Sequence, residues 1–295
     1  MAGLTHNPVF LRDVELALVN APFGGNWSDS LDLFARACGS QGTNLVSLGG
    51  PVPSLNILTG YDPAIFAESF ADPVMWGEAN WRVGTSTVPF QIQHDGHYAA
   101  YRAERPAGRY DEVVHALGMP FGCQTIFAQD ETGFLGLALM RTEADGACTP
   151  ETLALFDRLC RVTARSIKVE ATLAGDGAAI ALGDMDAVGK AVILVNRHGW
   201  RCAISPEAET ILVAGAPLQS ARAGVRLANP RDNYRFQQLL AYMLSTPPAA
   251  MLGVALSIPG WRIEMTHLPL PCGELAFEAV LALTVTPELE EHVRR

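Results

Sequence analysis

The chain has 295 residues, of which 49% are hydrophobic and only 18% are charged, so the composition excludes an intrinsically disordered protein. Its 31 acidic and 21 basic side chains give a formal net charge of -10, which argues against broad binding to a nucleic-acid backbone. The length suits two domains of ordinary size rather than one.

The sequence lacks the features of secreted and membrane proteins. Its six cysteines are scattered without a CxxC pair, which is typical of reduced thiols in a cytosolic protein. The N-terminus has no basic start followed by an apolar run, so we expect no signal peptide. The longest uncharged stretch, residues 237–261, is interrupted by prolines and does not fit a membrane span of about 20 apolar residues. We therefore expect a soluble, cytoplasmic protein that does not associate with membranes.

The first part of the chain alternates between predicted helices and strands. Apolar residues at helical spacing predict a helix over residues 28–38, which Gly39 ends. Two strands are predicted at residues 44–51 and 54–59, where apolar and polar residues alternate before turn-forming residues. An Asp-Pro pair then predicts the start of a helix over residues 62–70.

The next segment contains the longest predicted helix. Residues 76–101 show no periodic pattern and are predicted to be irregular. A short helix is predicted at residues 109–117, followed by a hairpin of strands at residues 124–129 and 134–140. Thr149 and Pro150 predict the start of the longest helix, which should end near Leu173.

Glycines at positions 175 and 177 predict a break in this helix and a domain boundary, after which the pattern restarts. Short helices are predicted from Ser205 and around residues 234–243. Five strands are predicted, at residues 191–195, 200–203, 253–258, 262–268 and 277–285. This order predicts an α+β fold with antiparallel sheets. We expect a first domain over residues 1–174, a second over residues 175–287, and a linker or helix start at residues 288–295.

The first domain carries a series of motifs in a fixed order. They are Asp72-Pro73, Trp76, Gly84, the run from Tyr110 to Gly118-Met-Pro-Phe121-Gly122, Leu139-Met140-Arg141, and the run from Cys148 to Leu155. Together they resemble the sensory region of LuxR-type bacterial transcription regulators. Such regions look like GAF domains, which hold a small molecule between a sheet and loops. The resemblance therefore implies a GAF-like domain that senses a ligand.

The second domain begins with an apolar strand, a glycine turn and a returning strand at residues 191–201, and then a helix whose start has Ser205 in the position of the usual Asn. This part is similar to the PAS-like domain of the same regulators. The resemblance covers residues 66–286. The helix-turn-helix that ends such regulators is missing. We therefore expect DNA contact only through a domain absent from this chain, which would be the sensory part of a longer regulator or would signal through a partner.

Aromatic residues are concentrated between positions 76 and 127. Tyr and Trp rings offer apolar faces with a polar tip, which suits a mostly apolar ligand with a few polar groups. The predicted ligand-binding residues are Trp76, Trp81, Phe90, Tyr98, Tyr101, Tyr110, Phe121, Cys123 and Phe127. The alternative is that these rings fill the domain core or a dimer contact. Arg82 and Arg102 could pair with a ligand carboxylate, although exposure to solvent is the default for arginine.

No catalytic motif competes with a binding function, since hydrolase elbows and nucleotide-binding loops are absent from the sequence. A metal at His94 and His97 would need further ligands, and no cysteine or cluster of carboxylates lies nearby in the sequence. Cys123 is more typical of a small residue in a buried strand than of a nucleophile. We predict a protein without catalytic residues, metal or cofactor.

The long helix is expected to pack against its twin in a homodimer, because such regulators act as symmetric pairs. Two alternatives remain open at this point. The chain could be a stand-alone interaction protein that docks on a transcription partner through its acidic surface. It could also be an enzyme of an unfamiliar type that uses Cys123 or the His94 and His97 pair.

Overall fold

The protein is described by a computed structural model that covers residues 8–49, 55–62, 64, 72–75, 80–105, 107–130, 133–186, 190–221, 224–246, 253–268 and 274–288. The chain divides into two compact units, Met1–Ile167 and Lys168–Arg295. Each unit combines helices with an antiparallel five-stranded sheet, so the predicted α+β class is confirmed. The domain boundary expected from the sequence, between residues 174 and 175, lies seven residues beyond the boundary between these units and stays a prediction.

The first unit contains six labelled helices and five strands among its described residues. They are α1 (Pro8–Asn20), α2 (Trp27–Ala37), β1 (Gly42–Gly49), β2 (Leu55–Leu58), α3 (Trp81–Gly84), β3 (Gln93–His94), α4 (Asp95–Ala103), α5 (Arg109–Ala116), β4 (Phe121–Asp130), β5 (Gly133–Arg141) and the start of α6 (Pro150–Asp186). The strands lie in the order β2-β1-β5-β4-β3, and each neighbouring pair is antiparallel. The predicted hairpin is therefore confirmed as β4 and β5, in the middle of the sheet.

The two faces of this sheet have different surroundings, because successive side chains of a strand point to opposite faces. Leu45, Leu137 and Leu139 are almost completely buried on one face. Helix α2 covers that face, where the Thr43 hydroxyl lies 3.3 Å from the Leu31 carbonyl oxygen. Helix α6 packs beside α2, since the rings of Phe34 and Phe156 meet edge to face with 5.7 Å between centroids.

The prediction of an irregular segment at residues 76–101 is wrong, because α3 and α4 form there. The side chain of Asn80 caps α3 by accepting a hydrogen bond from the Val83 amide. The His94 ring caps α4 in the same way, with its Nδ1 accepting from the Gly96 amide at 3.2 Å. Histidine is an uncommon cap, so the start of α4 carried a weak signal. Helix α1 was also not anticipated. Most of the predicted helix at residues 62–70 lies outside the described residues.

The second unit contains the end of α6 and the remaining elements. They are β6 (Ala191–Asn196), β7 (Arg201–Ile204), α7 (Pro206–Ala214), β8 (Leu218–Ala221), β9 (Gly224–Leu227), α8 (Pro230–Ser245), β10 (Gly253–Ile258), β11 (Trp261–His267) and β12 (Ala279–Pro287). The main sheet has the order β10-β11-β12-β6-β7, and β8 and β9 form a separate hairpin that the sequence analysis missed. When each sheet is numbered from its own first strand, both read 2-1-5-4-3.

Apolar side chains fill the interior of the second unit. One face of the sheet, with Ile193, Ile263 and Leu283, packs against α7, α8 and the small hairpin; Phe236 and Met243 of α8 are fully buried there. None of the helices in the described part of the chain is long and apolar enough to cross a membrane.

The predicted end of α6 at Leu173 is wrong, because the helix continues through Gly175 and Gly177 to Asp186. Beyond the glycines, the buried Ala178 packs against Val192 and Leu194 of β6. A glycine within a helix costs roughly 0.5–1 kcal/mol relative to alanine, whereas tertiary packing supplies most of a helix's stability. The packing of Ala178 therefore explains why the helix is not broken.

Candidate functional site

A cavity lies against the face of the first sheet that α2 does not cover. Its volume is about 90 Å³, measured as the space open to the centre of a water-sized sphere. A single water needs only roughly 10–15 Å³ by this measure, so the cavity has room for several waters or for a small organic molecule.

The floor of the cavity is formed by even-numbered residues of three neighbouring strands. Gly136 and Ala138 of the central strand β5 lie between longer side chains of β1 and β4. The two cross-strand rows are Asn44–Ala138–Gln124 and Val46–Gly136–Ile126. Because glycine and alanine have almost no side chain, the middle of the floor is low. This pair of small residues creates much of the space.

The roof is an aromatic cluster contributed by three short helices. The Trp81 ring of α3 lies 5.2 Å from the Tyr98 ring of α4 and 5.4 Å from the Tyr110 ring of α5, measured between centroids. All three side chains are buried, together with Met75 and Val114. These helices are short, so mutual packing of the rings is what holds them over the sheet.

The structure separates the predicted binding residues into groups. Tyr98, Tyr110 and Cys123 lie in the cavity wall. Trp81 supports the two tyrosines from behind, and the partly buried Tyr101 lies 6.2 Å from Trp81. The expected pocket and the alternative of a filled core are therefore both present, as the cavity wall and the cluster behind it.

Three further predicted residues are not among the described wall residues. Phe127 is the extra residue of a bulge in β4, and its ring lies 5.8 Å from that of Phe90. Phe121 is half-buried and is also not among the described wall residues. Trp76 lies outside the described residues. For all nine residues, a direct role in ligand binding stays a prediction.

Arg82 is half-buried in the cavity wall and is the one charged residue among the described wall residues. Its Nη2 donates to the carbonyl oxygens of Met119 and Pro120, at 3.0 and 3.1 Å. Its guanidinium carbon lies 5.4 Å from the ring centroids of both Trp81 and Tyr98. Exposure to solvent is the default expectation for an arginine, and it is wrong for Arg82.

Polar side chains join the floor to the roof. Gln124 on β4 donates through its amide nitrogen to the Ser86 hydroxyl at 2.7 Å and to the Arg82 carbonyl oxygen. Asn80 donates to the Met75 carbonyl at 2.8 Å while its oxygen caps α3. Neither residue was predicted from the sequence. For Gln124, the available signal was its polar side chain at an even-numbered position of β4.

The two tyrosines of the wall are protonated at neutral pH. Burial raises the pKa of Tyr98 and Tyr110, against the opposing effect of the nearby Arg82 charge. The Tyr98 hydroxyl donates to the Gln93 carbonyl at 3.2 Å. The Tyr110 side chain is 95% buried, and no hydrogen bond of its hydroxyl to a described residue is observed. Because Tyr110 forms part of the cavity wall, its hydroxyl is placed to donate to a ligand.

The cysteines near the cavity are buried thiols. Burial raises the pKa of Cys123 well above its usual value, and the neighbouring Cys148 adds to that shift. Burial likewise raises the pKa of Cys38 to about 12 and that of Cys160 above its usual range. A nucleophilic cysteine needs the opposite shift.

The two histidines considered as metal ligands have a structural role. His97 accepts a hydrogen bond from the His94 amide through Nδ1, and the two rings lie 4.2 Å apart at the start of α4. Within the described ranges, no group of three or more His, Cys, Asp or Glu side chains is arranged to hold a metal ion.

Comparisons with known proteins do not identify a family. No protein-family model matches the sequence. No curated protein matches it either. Among solved structures, the chain is similar to one in the crystal structure of the E. coli DhaR(N)–DhaL complex, with 16% identity over 96% of this chain and 91% of that chain. The TM-score of that match is 0.23, so it carries no argument about the function of this protein.

Proposed function

We propose that this chain is the small-molecule-sensing region of a cytoplasmic bacterial transcription regulator of the LuxR type, with a GAF-like first domain and a PAS-like second domain. The observation that carries the proposal is the cavity between the sheet and the aromatic cluster. Concave sites lined by apolar side chains and a few polar groups are typical of small-molecule binding.

The wall composition favours a mostly apolar ligand. Val46, Ile126, Met75 and Val114 contribute apolar surface from both floor and roof. A ligand that fills the cavity removes this surface from water, which yields roughly 25 cal/mol per Å² of apolar area buried. To act as a signal, it must bind one arrangement of the roof helices more tightly than another, because that difference in affinity is all the energy available for switching.

Helix α6 is the proposed output element of the sensor. Helix α2 covers the sheet face opposite the cavity, and Phe156 of α6 meets Phe34 of α2 edge to face, with 5.7 Å between centroids. A movement of the sheet on ligand binding would therefore be transmitted through α2 to α6. Farther along α6, Val169, Leu173 and Ile180 are 39%, 44% and 72% exposed, and their spacing of four and seven residues places them on one stripe. This apolar stripe supports a homodimer formed through α6.

The proposal is tested by a thermal-shift screen of small apolar and amphipathic molecules, including neutral and cationic compounds. A true ligand raises the melting temperature in proportion to the logarithm of its concentration. The variant Ala138→Leu, which fills the low part of the floor, should abolish that shift. The matched control is Ala128→Leu at an exposed position of β4, which should leave the shift unchanged. Equal shifts in both variants would contradict binding in this cavity.

The second candidate function, docking on a partner protein, is supported by the surface of α1. Val9, Leu16, Val19 and Phe23 are 65%, 46%, 46% and 66% exposed, along α1 and the turn that follows it. Exposed apolar residues grouped in this way mark interaction surfaces. If docking is the function, the parent protein should show no ligand-induced thermal shift. It should bind a candidate transcription partner, and Leu16→Asp should abolish that binding.

A further inference from the structure

We propose that the ligand of this cavity carries a carboxylate group, which Arg82 and Tyr110 bind together. This inference rests on the proposed sensing function and names the chemical class of the ligand as a small carboxylic acid with an aromatic or aliphatic body.

The first argument is the hydrogen-bonding capacity of Arg82. A guanidinium has five N–H donors in a planar fork. Two carbonyl contacts, to Met119 and Pro120, are made through Nη2, and Nε is buried without a partner among the described residues. Donors are therefore left over on a side chain whose guanidinium carbon lies 5.4 Å from the ring centroids of both Trp81 and Tyr98. The ring contacts and the two carbonyl bonds restrict the position of the guanidinium, and its remaining N–H groups suit a planar carboxylate.

The second argument is charge. The described cavity wall contains no Asp or Glu, and no described carboxylate forms an ion pair with Arg82. The carboxylate of Asp95, near the cavity edge, is occupied by the amides of Gly122 and Cys148, at 2.9 and 2.8 Å. A half-buried cation without an acidic partner is costly, and an anionic guest removes that cost.

The third argument is the position of Tyr110. The Arg82 guanidinium and the Tyr110 ring both contact Trp81, both residues line the cavity, and the Arg82 charge acts on Tyr110 against the burial that raises its pKa. The Tyr110 hydroxyl is a donor without a hydrogen bond to a described residue, in a side chain that is 95% buried. A carboxylate has two oxygens, of which one can accept from the guanidinium and the other from this hydroxyl.

The test is isothermal titration of the full chain with matched acids and amides: benzoate with benzamide, cinnamate with cinnamamide, and hexanoate with hexanamide. We expect at least one acid to bind tenfold or more tightly than its amide. Arg82→Gln should weaken binding of that acid at least tenfold and change amide binding by less than about threefold. Tyr110→Phe should weaken acid binding by about two- to tenfold.

The matched control is Arg102→Gln. The Arg102 guanidinium also lies 5.4 Å from the Trp81 ring, but this residue is exposed and is not part of the described cavity wall. Its loss should leave acid binding unchanged. Arg82→Lys keeps the charge without the planar fork and should retain part of the affinity, which separates a binding defect from a folding defect.

This inference would be overturned if the acid and its amide bind with equal affinity, or if Arg82→Gln binds the acid as tightly as the parent protein does. Either result would leave the sensing function intact. Failure of all six compounds to bind would also overturn it, and the sensing function would then depend on the broader thermal-shift screen. The sensing function itself would be refuted if the thermal-shift screen yields no compound whose effect on the melting temperature is abolished by Ala138→Leu.

Discussion

Cys123 shows how burial decides the reactivity of a single residue. The sequence favours a small residue in a buried strand over a nucleophile, and the side chain is only 1% exposed. Burial disfavours the thiolate, which is the reactive form of cysteine. The chemistry of this residue thus depends on its tertiary surroundings and not on its motif.

We therefore expect Cys123 to react slowly with iodoacetamide at pH 8. Its rate in the folded protein should be at least about tenfold lower than in the urea-unfolded chain, because each unit by which the pKa is raised removes about nine-tenths of the thiolate. Alkylation at each cysteine is followed by mass spectrometry of the peptides, with the half-buried Cys148 as an internal reference. A Cys123 that reacts faster than in the unfolded chain would favour the enzyme alternative.

At the scale of elements, most helices and strands were predicted from local signals, and the errors have specific causes. Caps, turn residues and periodicity predicted α2, the β4–β5 hairpin, α7 and the five strands of the main sheet of the second unit. Helix α4 was missed because a histidine caps it. The end of α6 was misplaced because its glycines were weighed without the packing of Ala178 on β6.

The continuity of α6 predicts that Gly175→Ala stabilises the protein. Gly175 has a helical backbone, and a methyl group added there would meet no neighbouring atom within 4 Å. Alanine in place of glycine at such a position should raise the free energy of unfolding by roughly 0.5–1 kcal/mol, as measured by urea denaturation.

The control for this prediction is Gly215→Ala. Gly215 ends α7 with a φ of +73°, a left-handed conformation that alanine adopts only with strain. This substitution should lower the free energy of unfolding by roughly 1 kcal/mol. If Gly175→Ala is also destabilising, α6 is interrupted at that position.

At the scale of the whole molecule, two units with the same strand order are connected by one long helix. No repeat in the sequence indicated this common architecture, because the order of strands in a sheet depends on long-range pairing between β1 and β5 and between β6 and β12. Because α6 belongs to both units, we expect a dimer to form through it. The exposed apolar stripe of Val169, Leu173 and Ile180 on α6 allows this prediction to be tested.

If the stripe on α6 forms the dimer, Leu173→Glu should convert the protein to a monomer, because a charge in an apolar contact must be desolvated without a partner. The molar mass is measured by light scattering after gel filtration. Val213→Glu on α7, where the valine is 83% exposed, is the matched control and should leave the oligomeric state unchanged. A monomeric parent protein, or a Leu173→Glu variant that remains dimeric, would contradict a dimer formed through α6.

The sequence by itself determined the fold class, most elements and the aromatic segment that forms the roof of the cavity, because these follow from spacing, caps and turns within short stretches. Only the tertiary structure decided which residues meet. Gly136 and Ala138 lower the floor, and Arg82 becomes a half-buried cation under Trp81. The cavity depends on contacts between strands and helices tens of residues apart, and no local pattern records which side chains will face one another there.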